Sequence, residues 1–229
     1  MLPASRIDLQ EQLQSIYSLL NGYFGDLHWW PGESPFEVIV GAILTQNTAW
    51  KNVEKAIVSL KSHGIMSPES IMGTDDPILA ALIRSSGYHN VKTKRLKAFF
   101  LYLHEEYDGN IDKMFAEDLG SLREKLLMVK GIGAETADSI LLYAGGKPVF
   151  VVDAYTKRIL ERHDMIRSND SYADIQNLFM KHLPKSVPIY NQYHALLVNT
   201  GKLFCHTNNP HCHDCPLQEL ASSQSKMCM

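Results

Sequence analysis

The chain has 229 residues, 45% of them hydrophobic and 21% charged, and carries a formal net charge of −3. That balance is ordinary for a globular fold of one large or two small domains, and no apolar run approaches the roughly 20 residues a membrane span needs. The net charge supplies no global attraction for nucleic acid, although a local basic patch is enough to bind phosphate.

The opening "MLPASRIDLQEQ" lacks the basic head and apolar middle of a secretory signal, so a cytoplasmic protein is expected. "IDLQEQLQSIYSLLNGYFG" then sets Leu9, Leu13, Ile16, Leu19 and Leu20 at three- and four-residue spacing and stops at glycine, which predicts a helix. "PFEVIVGAILTQ", opened by Pro35, is apolar on nearly every side and predicts a helix at the centre of the core. "WKNVEKAIVSLKSHG" predicts a third, closed by Gly64. Helical patterns recur over 76–85, 90–106, 119–129, 134–144, 154–163, 170–183 and 188–202, separated by turn signals such as Gly87, "YDGN" and "AGGKP". Only "PVFVVD" reads as extended, and it is too short and isolated to seed a sheet. The predicted fold class is all-α.

Two basic clusters stand out, Lys92, Lys94, Arg95 and Lys97 in the first and Lys157, Arg158 and Arg162 in the second. Each reads either as a solvated helix face or as a phosphate-binding patch. All four cysteines, Cys205, Cys212, Cys215 and Cys228, fall in the last 25 residues with spacing C-x6-C-x2-C-x12-C, which points to joint action. Thiolates so grouped can hold structural zinc, with His206, His211 and His213 as further candidate ligands, or an iron–sulfur cluster. A disulfide is disfavoured in a reducing compartment.

In "LLMVKGIGAETADSILLY" one helix ends near Lys130, the chain turns through Gly131-Ile132-Gly133, and a second helix starts. Glycines allow such a turn and let another backbone approach closely, and the new helix presents free N–H groups to an anion. Past the "AGGKP" break and the run "VFVV" comes Asp153, placed both to cap the next helix and to act as a shielded carboxylate.

Taken together, G-I-G-x-x-T-A, the Lys-Pro loop and Val-Asp 18 residues beyond Glu135 resemble the helix-hairpin-helix, Gly/Pro loop and aspartate signature of the endonuclease III (HhH-GPD) superfamily of DNA glycosylases. "CHTNNPHCHDCPL" resembles that family's iron–sulfur loop, and "SSGYHNVKTKRL" its G-x-y-x-x-K-A segment. The resemblance implies a two-lobed helical fold, with one lobe over 36–147 and the other joining 1–35 to 148–229. Damaged double-stranded DNA would lie across the cleft between the lobes, bound by a monomer. It also implies Asp153 as the catalytic residue, a 4Fe-4S cluster on the four cysteines (zinc or no metal being the alternatives), and DNA contacts from Gln46, Asn47, Lys130, Gly131, Gly133 and Thr136.

Two departures from the family pattern matter, the second in a hairpin that also carries Lys130 where the family has proline. Ala221 occupies the usual place of the fourth cysteine, leaving Cys228 to complete the cluster through a longer loop. Glu135 occupies the place of the Schiff-base lysine of the bifunctional members. A carboxylate cannot attack C1′ to form an imine, so hydrolysis without strand cleavage is expected. "HWWPGESPFEVIVGAILTQNTAW" resembles the 3-methyladenine DNA glycosylase III branch, which implies a base pocket of Trp29, Trp30, Pro31 and Trp50, with Trp29 and Trp50 on either side of the flipped base. An oxidised-pyrimidine glycosylase, a mismatch thymine, uracil or adenine glycosylase, and a non-enzymatic damage sensor are the alternatives.

Overall fold

The structure, a computed structural model, describes residues 8–30 and 32–220. Among these the protein is all-α, with no strand. Helix α1 (Leu9–Phe24) precedes α2 (Pro35–Leu44) and α3 (Trp50–Ser62). Two short helices, α4 (Pro68–Gly73) and α5 (Asp76–Leu82), lead into the long α6 (His89–Tyr107). Next come α7 (Ile111–Ala116), α8 (Leu119–Met128) and α9 (Ala134–Ser139), the last running on into a π-helical turn over Ile140–Ala144. The chain ends with α10 (Ala154–Arg162), α11 (Tyr172–His182), α12 (Val187–Leu203) and two single 3-10 turns. No described helix is long and apolar enough to cross a membrane.

The chain divides into two compact units, Trp30–Lys147, and Met1–Trp29 joined with Pro148–Met229. The first is built around α2. Ser34 caps it by accepting from Glu37 N, Pro35 supplies the fixed φ of a first turn, and every residue from Phe36 to Leu44 is buried. Even Glu37 lies inside, its carboxylate 3.0 Å from Lys61 Nζ. Helices α8 and α9 are locked together by a bidentate pair in which Arg123 Nε and Nη2 donate to Asp138 at 2.6 and 3.0 Å. Asp138 is fully buried.

In the other unit, α1 is tied to α12 where Tyr193 OH donates to Leu13 O at 2.8 Å and Gln192 Nε2 donates to Asn21 and to Gly25 O. The extended run Val149–Val152 is buried without a ladder partner. Its backbone is served by α11 instead. Gln176 Nε2 donates to Phe150 O at 2.7 Å, and the Tyr172 hydroxyl accepts from Val152 N at 3.4 Å. Phe150 stacks on Phe179 at 3.8 Å between ring centroids. This anchoring delivers Asp153 to a defined place.

The Arg123–Asp138 pair predicts a stability effect. Arg123→Met strips the guanidinium from a fully buried carboxylate, and should lower the unfolding free energy by about 3 kcal/mol. The urea midpoint of the variant measures this.

Candidate functional site

Asp153 is the N-cap of α10, its Oδ1 accepting from Thr156 N at 2.7 Å. Its Oδ2 lies 3.6 Å from Nε2 of His194 on α12, an ion-pair distance when the imidazole is protonated. Both side chains are largely shielded, at 12% and 6% exposure. Burial alone would raise the carboxyl pKa. The His194 imidazole and the Thr156 hydrogen bonds outweigh it and hold the group below the ordinary aspartate value. Asp153 is therefore a shielded carboxylate that stays ionised at neutral pH, and it serves as cap and charge at once. His194 carries no sequence signal, since one histidine in "YHALLV" reads as core.

Helix α10 ends at the cysteines. Arg158 Nε donates to Cys205 O at 2.7 Å, and Arg162 Nη1 donates to His206 O at 2.7 Å and reaches Cys205 Sγ at 3.0 Å. Both arginines of the second basic cluster are thus spent on the protein's own loop, while Lys157 donates to Asp170 O at 3.5 Å. Cys205, Cys212 and Cys215 line one shallow pocket, partly open to solvent, with Arg162, His163 and Leu217; Cys212 is disulfide-bonded, and Cys205 and Cys215 are free thiols. Burial pushes the Cys215 thiol up. Among the described residues no three His, Cys, Asp or Glu side chains are drawn together tightly enough to hold a metal ion. Cys228 and Ala221 lie outside the described residues, as does Pro31 of the expected base pocket.

In the other unit, the hairpin between α8 and α9 turns at Gly131, whose φ is +90°. A Cβ there would sit 2.5 Å from Arg95 Cγ, so both the backbone angle and the close approach require glycine. Gln46 Nε2 donates to Gly131 O at 3.0 Å and to Thr136 Oγ1 at 2.9 Å, and Arg95 Nη1 donates to Gln46 Oε1. Gln46 and the buried Thr136 therefore brace the hairpin from inside. Lys130, Gly131, Gly133 and Glu135 are exposed on it. Asn47, the other DNA contact expected in this turn, is exposed in a left-handed conformation, φ +53°.

The first basic cluster is not a surface patch. Lys92 is 1% exposed and donates to Leu44 O, Thr48 Oγ1 and Ser86 O at 2.8, 2.7 and 2.6 Å. Burial, with a smaller push from Arg95, brings its pKa down to about 8. Lys97 is taken by Asp76 at 2.6 Å, and only Lys94 stands exposed.

The ring that meets Trp50 is Trp30, edge-to-face at 5.0 Å and 79°. Tyr143, in the π-helical turn, lies 4.8 Å from Trp30 at 34°. Gly41 of α2 underlies both indoles, since a Cβ there would be 3.3 Å from Trp50 and 3.5 Å from Trp30. Trp29 falls in the other unit, with the Lys202 ammonium 5.3 Å over its ring. Sequence reading missed Tyr143, because a π-turn within a helical pattern leaves no periodic trace; such turns recur at functional sites.

Over residues 40–185 the chain matches HhH-GPD, the superfamily of base excision DNA repair proteins. The chain belongs to this superfamily. It is 45% identical over 216 residues to a protein of Methanocaldococcus jannaschii provisionally named as a DNA repair glycosylase, covering 93% of this chain and 97% of the relative. Among solved structures it resembles the H. pylori 3-methyladenine DNA glycosylase MagIII bound to 1,N6-ethenoadenine, at 30% identity and TM-score 0.74 over 86% of this chain and 98% of that one. It shares the fold of a trapped endonuclease III–DNA covalent intermediate at TM-score 0.80 and 23% identity, with 93% and 96% covered. For an HhH-GPD protein, the braced hairpin and the anchored aspartate are the two features that residue chemistry can be read from.

Gly131→Ala tests the first. The left-handed angle and the clash with Arg95 together should cost about 1–3 kcal/mol, read as a lowered thermal midpoint. Gly133→Ala, at an ordinary φ of −93° with open space around its Cβ position, should change it by much less.

Proposed function

We propose that this HhH-GPD chain is a monofunctional DNA glycosylase of base excision repair that hydrolyses the N-glycosidic bond of alkylated purines of the 3-methyladenine type in double-stranded DNA. The observation that carries the reading is the state of Asp153, a carboxylate shielded, ionised and fixed by Thr156 and His194. A fixed negative charge lowers the barrier where positive charge develops on the sugar, and preorganised electrostatics of this kind is usually the largest catalytic contribution. Water then attacks C1′ as the base departs, and Asp153 guides it. An N3- or N7-alkylated purine is already cationic, so it leaves without a strong general acid. Glu135 offers no amine for a covalent imine, which makes strand cleavage by β-elimination foreign to this hairpin.

The base class rests on Trp30, Trp50 and Tyr143. Electron-rich ring faces attract a cationic purine by about 0.5–2 kcal/mol, more as water is excluded. The resemblance to the 3-methyladenine glycosylase MagIII supports the same choice. Lys130, Gly131 and Gly133, exposed on the hairpin, are the proposed phosphate contacts. Exposed Asn47, together with Tyr88, which is 71% exposed in a left-handed backbone at φ +45°, is proposed to fill the stack vacated by the base.

The cysteine loop is proposed to hold a 4Fe-4S cluster through Cys205, Cys212, Cys215 and Cys228. Three of these cysteines line one pocket, Cys205 and Cys215 as free thiols, and Arg162 Nη1 lies 3.0 Å from Cys205 Sγ. Bound there, the cluster supplies cross-linking of the loop rather than reaction chemistry. Arg158 and Arg162 orient the loop from the same helix that Asp153 begins.

Two experiments test this reading. Incubated with methylated duplex DNA, the protein should release free 3-methyladenine, and Asp153→Asn should slow release ~100-fold or more with DNA binding retained. Undiminished release by the variant would sink the mechanism, and nicking at thymine glycol without methylpurine release would replace the base class by oxidised pyrimidines. Anaerobically purified protein should carry about four irons and four labile sulfides per chain. Stoichiometric zinc, or no metal, would contradict the cluster.

A further inference from the structure

Lys92 is a buried cation, an ammonium at 1% exposure. Three oxygens meet it, and they come from two separate loops. Leu44 O is the last carbonyl of α2, and Thr48 belongs to the turn that follows, the turn that carries Gln46 and Asn47. Ser86 O ends the short 3-10 turn Arg84–Ser86, immediately before Gly87 and Tyr88. Thr48 Oγ1 also donates to Ser86 O, so lysine, threonine and carbonyl close a triangle across the two loops. Each loop then presents one exposed side chain from a left-handed backbone, Asn47 on one and Tyr88 on the other. Two other cations of the segment are engaged elsewhere, Arg95 with Gln46 and Lys97 with Asp76.

A cation at the C-terminal end of α2 satisfies a carbonyl that has no partner within the helix and sits at the negative end of its dipole. That would account for one contact. It does not account for the bonds to Thr48 and Ser86, which join the loops and add nothing to the helix. A buried lysine is retained only where its charge is fully answered, and its lowered pKa, about 8, shows the strain of keeping it there.

We infer that Lys92 is a positioning residue for base extrusion: it clamps the Thr45–Thr48 turn to the Arg84–Tyr88 loop, so that Asn47 and Tyr88 enter the base stack as one rigid rim. The inference rests on the reading that these loops enter the DNA, and it adds what sets their spacing. Lys92 touches neither substrate nor reacting atoms. Its loss leaves the hairpin and Asp153 in place, so non-specific DNA affinity persists while unstacking fails.

The test uses the 229-residue chain, a duplex with a tetrahydrofuran abasic analogue facing 2-aminopurine, and an undamaged duplex of the same length. Saturating wild-type protein should raise the 2-aminopurine fluorescence as the facing base is unstacked. Lys92→Met keeps the methylene stem and removes the clamp. It should lose most of that rise, at least fivefold in amplitude, while its affinity for undamaged duplex stays within twofold. Thr48→Val, which removes one contact and leaves the ammonium two carbonyls, should show an intermediate loss, and it carries the test if Lys92→Met fails to fold by circular dichroism. A full rise with Lys92→Met, or with Thr48→Val where that variant carries the test, overturns the role of Lys92. No rise with wild-type protein overturns the reading that the loops enter DNA, and the clamp with it.

Discussion

A largely shielded carboxylate keeps its charge only where protein groups replace most of the solvent, and much of one unit is arranged around that requirement at Asp153. The start of α10 supplies a backbone N–H through Thr156, and α12 supplies the His194 imidazole. The buried run Val149–Val152, with its backbone bonded by Gln176 and Tyr172, fixes where the carboxylate emerges. The far end of α10 carries Arg158 and Arg162 into the cysteine loop. One nine-residue helix thus joins the shielded carboxylate to the cysteine loop.

The other unit solves a related problem with the opposite charge. Lys92 and Arg95 are turned inward, onto carbonyls, a threonine and Gln46, and there they fix the turns and the hairpin that stand toward solvent. In the proposed reading, phosphate binding is left to backbone N–H groups and Lys130 rather than to a basic surface. A chain of net charge −3 can belong to a DNA repair superfamily on those terms.

The long helices were legible because their apolar faces repeat at helical spacing. Helices α4 and α7, of six residues each, were not, since one and a half turns establish no period; both rest on capping by Ser67 and Asn110. The hairpin, Asp153 and the shared place of Cys205, Cys212 and Cys215 could be read from spacing. Long-range pairing could not. Nothing local distinguishes Lys92 from a surface lysine, or tells that Trp50 meets Trp30 and that Gln46 turns inward to the hairpin. Those facts belong to tertiary packing, where residues 20 or more positions apart become neighbours.

The central claim is that a carboxylate at position 135 leaves this protein with hydrolysis alone. Borohydride trapping on duplex DNA containing an abasic site tests it most directly, because reduction freezes any imine between protein and C1′. The account predicts no covalent adduct with the wild-type protein under conditions where an endonuclease III control is trapped in full. A wild-type adduct, mapped to a lysine of this chain, would contradict it and restore strand cleavage to the activity.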